Sequence, residues 1–152
     1  MLSGSSALNL DSKGRMAFPV RYRDILAAQC EGKVVCTVDL FSPCLLLYPQ
    51  PQWLIVAERL GVLSDTHAEQ RAIKRLLLGH AHECQVDKLG RLLLPMTLRD
   101  YASLDKQLIL VGQLNKFELW NETLWQEQVN ENKDLIKSVD LSHFTQLQNF
   151  SL

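Results

Sequence analysis

"DSKGR" occupies residues 11–15 and "DKLGR" occupies residues 87–91, so one chain carries the frame Asp-x-x-Gly-Arg twice, 76 positions apart. The likeness extends to NLDSKGRMAFPVRYRD (9–24) and QVDKLGRLLLPMTLRD (85–100). These share Asp11/Asp87, Gly14/Gly90, Arg15/Arg91, Pro19/Pro95, Arg23/Arg99 and Asp24/Asp100, six identities in sixteen positions. An internal repeat of this kind decides the architecture before any single element does. At an offset of 72, CLLLYPQPQW (44–53) then aligns with KFELWNETLW (116–125), setting Leu47 with Leu119, Tyr48 with Trp120 and Trp53 with Trp125. The four extra residues of the first copy are read into AAQCEGK (27–33). Copies of about fifty residues are too small to bury a good core alone, so the halves are expected to pack on each other with pseudo-twofold symmetry.

Each copy reads as α+β and β-rich. The stretch before each Asp is a short strand, Asp-x-x-Gly is turn chemistry, and RMAF (15–18) or RLLL (91–94) is a second strand. Each frame is therefore expected at the tip of a β-hairpin. Pro19 and Pro95 suit the first position of short helices over VRYRDILAA and MTLRDYA. VVCTVDL (34–40), LLLY (45–48), QLILVG (107–112) and FELW (117–120) read as strands, and 49–60 and 121–133 as helices. Between the copies, THAEQRAIKRLLLG (66–79) is expected to be a helix. A Thr66–Glu69 capping box starts it, Gly79 ends it, and Ala68, Ile73, Leu76 and Leu77 form its apolar stripe. The expected division is 1–62 for the first repeat, 63–81 for the connecting helix, 82–133 for the second repeat and 134–152 for a tail.

The chain has 152 residues, 47% hydrophobic and 22% charged, with net charge −1, typical of a globular protein. That near-neutral sum hides an asymmetry. Residues 1–24 hold four basic and two acidic side chains, whereas 118–152 hold two basic and six acidic ones. The opening MLSGSSALNLDSKGR has no apolar run of the kind a secretory signal needs, and nothing approaches the ~20 apolar residues of a membrane span. The expectation is a cytoplasmic chain with no membrane partner. Cys30, Cys36, Cys44 and Cys84 form no Cys-x-x-Cys and read as reduced thiols.

Lys13, Arg15, Arg21 and Arg23 fall within eleven residues of the first copy, and Lys88, Arg91 and Arg99 fall at or near matching sites of the second. Basic side chains on projecting hairpins can contact phosphates or base edges. For Asp11 and Asp87, four residues before an arginine, a salt bridge bracing the turn is the favoured reading. For Arg15 and Arg91 chemistry alone supports either role. Arg23 and Arg99, in helices, are expected to pair a carboxylate. In HAHEC (80–84), His80, His82 and Cys84 would share a face of a strand and could hold zinc; without a fourth ligand, packing roles are favoured and no metal or cofactor is expected. Asp11 and Asp87 as a catalytic acid pair is outweighed by the Gly-Arg after each, and no phosphate loop, dinucleotide fingerprint or Ser-His-Asp order is present, so no enzyme is expected. Tyr48, Trp53, Trp120 and Trp125 read as core, with an assembly scaffold as the alternative that would not need Arg15.

The two Asp-x-x-x-Arg frames, with NLDSKGR…P…RYR, RLLLGHA-x-ECQ-x-D and VGQ-x-NKFELW, resemble the signature of the MraZ family of bacterial transcriptional regulators over roughly residues 1–130. The resemblance implies a fold similar to AbrB-type DNA-binding proteins, in which swapped hairpins interlock, here with both halves in one chain. It implies ring-shaped homo-oligomers that bind direct repeats in the promoter of the division and cell-wall gene cluster, repress it, and associate with the nucleoid. It implies a DNA-facing surface at Lys13 and Arg15, and at Arg91 with Lys88. Arg21 joins that set, although it faces Thr97 in the second copy. Gly14, Gly90, Asp11, Asp87, Arg23 and Arg99 are assigned to turn and ion-pair structure. An AbrB-like antitoxin is the neighbouring alternative.

Overall fold

The computed structural model describes residues 1–150. The chain divides into two compact units, Met1–Glu122 and Thr123–Leu152. In the first, the elements run β1 (Leu2–Asn9), β2 (Arg15–Ala17), α1 (Val20–Cys30), β3 (Lys33–Val38), β4 (Leu45–Pro49), α2 (Gln50–Gly61) and α3 (Ala68–Gly79). The repeat then gives β5 (His82–Gln85), β6 (Arg91–Leu93), α4 (Met96–Tyr101), β7 (Gln107–Leu114) and β8 (Phe117–Asn121). Helix α5 (Glu122–Ser138) and a 3₁₀ turn (Leu141–His143) follow. In that turn the Asp140 carboxylate accepts the Ser142 N–H at 3.0 Å and the Ser142 hydroxyl at 2.7 Å.

A six-stranded antiparallel sheet has the order β1-β7-β8-β4-β3-β5, and a separate two-stranded ribbon pairs β2 with β6. Both are palindromes of the repeat. The β4–β8 ladder sets Leu46 against Glu118, and the ribbon sets Met16 against Leu92. Each of these is a pair of equivalent positions, so a pseudo-twofold axis passes through both. This is the α+β arrangement of swapped halves that the repeat and the resemblance imply.

Two local expectations are corrected. The strands on either side of each frame do not pair with each other as a hairpin. β1 bonds to β7 and β5 to β3, while β2 and β6 cross to meet over the axis. The four extra residues of the first copy are also not all in 27–33. Val34↔Pro49 matches Leu108↔Asn121, an offset of 74 for the third strand of each copy. Two of the extra residues therefore precede β3, and two lie in the turn 39–44.

Alternation along the strands sends one set of side chains to each face of the sheet. Val34, Cys36, Val38, Leu45, Leu47, Leu108, Leu110, Phe117 and Leu119 face the ribbon's Met16 and Leu92 and the helix residues Tyr22, Leu26 and Leu98. Phe18 and Tyr22 hold Phe117 between them at centroid distances of 5.6 Å and 4.9 Å, and the Tyr22 hydroxyl donates to the Ser3 carbonyl. Burying such a side chain is worth ~1.5–3 kcal/mol, so this layer holds the ribbon down. On the other face Val35, Leu46 and Tyr48 meet Trp53 and Leu60 of α2, with Ile73 and Leu77 of α3 alongside. Tyr48, Trp53 and Trp120 are thus core residues.

Helix α3 begins one residue later than the capping box requires. His67 precedes it with no side-chain cap, and Thr66 instead donates its N–H to the Ser64 hydroxyl at 3.1 Å. Gly79 is its last helical residue, with His80 as the cap. Of its apolar stripe, Ile73 and Leu77 are half-buried, whereas Ala68 and Leu76 remain exposed. The buried Thr37 hydroxyl anchors this helix by donating to the Leu77 carbonyl at 2.7 Å. Pro19 and Pro95 stand immediately before α1 and α4 rather than inside them.

Gly14 and Gly90 are required twice over. Their φ angles are +84° and +76°, where an L side chain is strained. A Cβ there would also lie 2.7 Å from the Arg99 guanidinium at Gly14, and 2.2 Å from Arg23 Nε at Gly90. Gly90→Ala is expected to lower the unfolding free energy by about 2 kcal/mol or more in a urea titration. In an Arg23→Ala background the further cost of Gly90→Ala should be smaller than in the parent, because the clash is gone while the strained φ stays. A Gly90→Ala protein as stable as the parent would contradict this geometry.

Candidate nucleic-acid interface

The two repeated turns are built by the same bonds. Asp11 N–H donates to the Arg15 carbonyl at 2.9 Å and Gly14 N–H to the Asp11 carbonyl at 3.1 Å; Asp87, Arg91 and Gly90 repeat this at 2.9 and 2.9 Å. One carboxylate oxygen of Asp11 accepts the backbone N–H of Lys13 (2.9 Å) and of Arg15 (2.8 Å). That of Asp87 does the same for Leu89 (2.9 Å) and Arg91 (2.8 Å). The second oxygen takes the arginine Nε, at 3.3 Å in the first turn and 2.9 Å in the second. Asp suits this position because its short side chain reaches both N–H groups and the arginine at once. Those N–H bonds, that of Arg15 or Arg91 foremost, hold both carboxyls below the ordinary aspartate value.

Both arginines are gripped through Nε, which fixes their direction. Arg15 retains 28% and Arg91 36% of side-chain exposure. In the ribbon Arg15 pairs with Leu93 and Ala17 with Arg91. Residues two apart share a face, so these four point outward while Met16 and Leu92 point into the core at 1% and 0% exposure. Arg15 and Arg91 are diagonal neighbours across the ladder, which puts them about 7–8 Å apart. Lys13 lies exposed in the turn at one end, and Lys88 and Leu89 in the turn at the other.

The remaining candidates are placed differently. Arg21 turns to β1, donating to the Ser6 hydroxyl at 2.8 Å with its guanidinium 4.6 Å from the Tyr22 ring centroid. Arg23 and Arg99 bond no carboxylate among the described residues. They donate from Nε to the carbonyls of Phe18 (2.7 Å) and Leu94 (3.0 Å) and lie over the glycine of the opposite turn. His80 caps α3, with Nδ1 2.8 Å from the Leu76 carbonyl, so it is not on a strand with His82 and Cys84. Among the described residues no cluster of three or more His, Cys, Asp or Glu could hold a metal ion. The four cysteines are free thiols, and burial pushes the Cys84 thiol up to about 11. No helix among the described residues is long and apolar enough to cross a membrane.

Sequence reasoning picked out the arginines of the ribbon but missed Ala17 and Leu93 beside them. The signal was the alternation in RMAF and RLLL, legible once the second strand of each frame is known to have one buried face.

The family described as "MraZ protein, putative antitoxin-like" matches residues 1–76 and again residues 77–141. The chain is 54% identical to the transcriptional regulator MraZ of Shewanella sediminis (strain HAW-EB3), with the whole of both chains covered. Over the same full coverage it is 52% identical to that of Idiomarina loihiensis and 55% to that of Shewanella piezotolerans.

The lowered aspartates set a pH dependence. A carboxyl whose folded value is depressed adds stability above its unfolded value, and that contribution disappears as pH falls through the folded value. The side-chain carboxyl signals of Asp11 and Asp87, followed by ¹³C NMR, should therefore titrate below the ordinary aspartate value. Arg15→Ala should retain part of the Asp11 depression, because the leading cause is a backbone N–H that the substitution keeps. Complete return to the ordinary value in Arg15→Ala would show that the guanidinium alone was responsible.

Proposed function

The chain belongs to the MraZ family of transcriptional regulators, and from that premise we propose that it binds double-stranded DNA sequence-specifically through the β2–β6 ribbon. The supporting observation is the ribbon's outward face, where Arg15 and Arg91 stand on one diagonal of a rigid two-stranded support. The major groove of B-DNA, about 12 Å wide, admits a two-stranded ribbon, and an arginine there can grip guanine or phosphate. Lys13 and Lys88 at the ribbon's two ends add phosphate contacts. Arg21 contributes less, being held by Ser6.

The regulator acts on direct repeats in the promoter of its own operon of division and cell-wall genes, as a repressor. It works as a homo-oligomer, ring-shaped as the family resemblance implies, in the cytoplasm at the nucleoid. One protomer with a few cationic contacts binds weakly at physiological salt, since affinity follows the counterions released. Several protomers on successive repeats gain effective concentration without any new contact. The relatives carry the name of a regulator, and the ribbon needs no cofactor for this role.

A gel-shift titration with the DNA upstream of the chain's own gene, at two salt concentrations and against unrelated competitor, tests this. Parent protein is expected to prefer that DNA and to weaken steeply with salt. Arg15→Ala and Arg91→Ala should each weaken binding by roughly five- to a hundredfold if the side chain grips a guanine, or reduce the salt slope by about 1 if it grips a phosphate. Equal binding to promoter and competitor would remove the operon assignment; undiminished binding by the double variant would remove the ribbon.

A further inference from the structure

Two apolar side chains stand between the ribbon's arginines, and nothing in the core accounts for the larger. In the ladder the outward positions form a checker, with Arg15 and Arg91 on one diagonal and Ala17 and Leu93 on the other. Leu93 is 57% exposed, whereas its neighbours Leu92 and Leu94 are both 0% exposed. A lone exposed leucine is ordinary. This one sits at the centre of a basic face, on a strand anchored by buried neighbours on both sides. The pseudo-twofold axis sharpens the point, because the position equivalent to Leu93 is Ala17. The ribbon is therefore symmetric in its charge and asymmetric in its apolar reach.

We propose that Leu93 is a specificity-determining residue that rests on the C5-methyl group of a thymine in the major groove. This builds on the reading of the ribbon as the DNA-facing element. In the major groove thymine is the base that presents a methyl group, while cytosine presents an amino donor at the neighbouring edge. Covering a methyl group with leucine removes two apolar surfaces from water. Covering a cytosine amino group with leucine leaves a donor desolvated without an acceptor, which is unfavourable. Arg15 and Arg91, held in direction by Asp11 and Asp87, fix the ribbon's height and register in the groove. Leu93 then reaches a base edge that Ala17, with a single methyl, meets at shorter reach. A twofold-symmetric reader matches a palindrome; a ribbon with leucine at one position and alanine at its mate matches a site with direction.

The test is selection of a preferred duplex from a randomised pool, followed by replacement of each thymine in turn by uracil, which removes only the methyl. Parent protein is expected to lose roughly fourfold in affinity at one thymine, the factor for one buried methyl-sized group. Leu93→Ala should bind the thymine and uracil duplexes equally, and Leu93→Met should keep the preference. The exposure of Leu93 makes both variants compatible with folding. Specific binding by the parent that is indifferent to every thymine methyl overturns the assignment of Leu93 and leaves the ribbon reading standing. A thymine preference that persists in Leu93→Ala also overturns it, since another residue then reads the methyl. If no duplex emerges from the pool, the assignment falls together with the reading of the ribbon.

Discussion

A closed circuit of three contacts, made twice, carries the rest of the structure. The Gly90 carbonyl accepts the Phe18 N–H at 2.8 Å, the Phe18 carbonyl accepts Arg23 Nε at 2.7 Å, and the Arg23 side chain lies across Gly90. Its mate runs from Gly14 to Leu94 to Arg99, with 2.9 Å and 3.0 Å bonds, and back over Gly14. Each circuit joins the turn of one copy to the strand and helix of the other. The glycine must lack a side chain because an arginine occupies that space. The arginine sits nine positions after the glycine of its own copy because the helix behind the proline delivers it to the opposite turn. The ribbon between the circuits is thereby clamped at both ends, and its outward residues inherit that rigidity.

This circuit explains which parts of the fold were legible in the sequence. The special residue types of the frame, Asp, Gly, Arg and Pro, announced two copies and their turns, because each answers a local backbone demand. The strand partners were not legible in the same way. Within one frame the sequence is indistinguishable from a hairpin, since the same alternation serves a strand paired locally or across an axis. Only the tertiary register, Met16 on Leu92 and Leu46 on Glu118, shows that the pairing is between copies. The partners of Arg23 and Arg99 were misread for a related reason. A charged side chain near an aspartate suggests an ion pair, but a backbone carbonyl before a proline leaves no mark in the sequence. Thr66 was misread as a cap because the Ser64 hydroxyl, two residues earlier, engages both its N–H and its hydroxyl.

The candidate site was legible in its charges and illegible in its surface. Arg15 and Arg91 could be named from their repetition, but that they lie on one exposed face follows from the ladder alone. Arg21, another arginine of the first copy, is drawn to Ser6 and Tyr22 by the same fold. Its second-copy counterpart is Thr97, which carries no charge. Proximity in sequence therefore did not show that Arg21 is held apart from the ribbon's face, and composition hid the two apolar residues on that face.

Writing the repeat in one chain changes what the two copies are free to do. Two separate chains making this ribbon would face the cost of association, of order 4–15 kcal/mol, and would assemble only above some concentration. A covalent connection replaces that cost with loop closure, which grows slowly with length, so the ribbon forms at any dilution. It also removes the requirement that both halves be the same. The circuit's glycine and arginine carry the same residue in each copy, Gly14 and Gly90, Arg23 and Arg99, as do Asp11 and Asp87, Arg15 and Arg91 of the adjoining turns, whereas Phe18 and Leu94, which join the circuit through backbone atoms, differ. Several exposed positions outside it differ, with Lys13 against Leu89, Ala17 against Leu93 and Arg21 against Thr97. The clamp thus fixes the residues whose side chains, or lack of one, its geometry needs, and leaves others free to diverge, both in the core, as at Met16 and Leu92, and on the ribbon's outward face, as at Ala17 and Leu93.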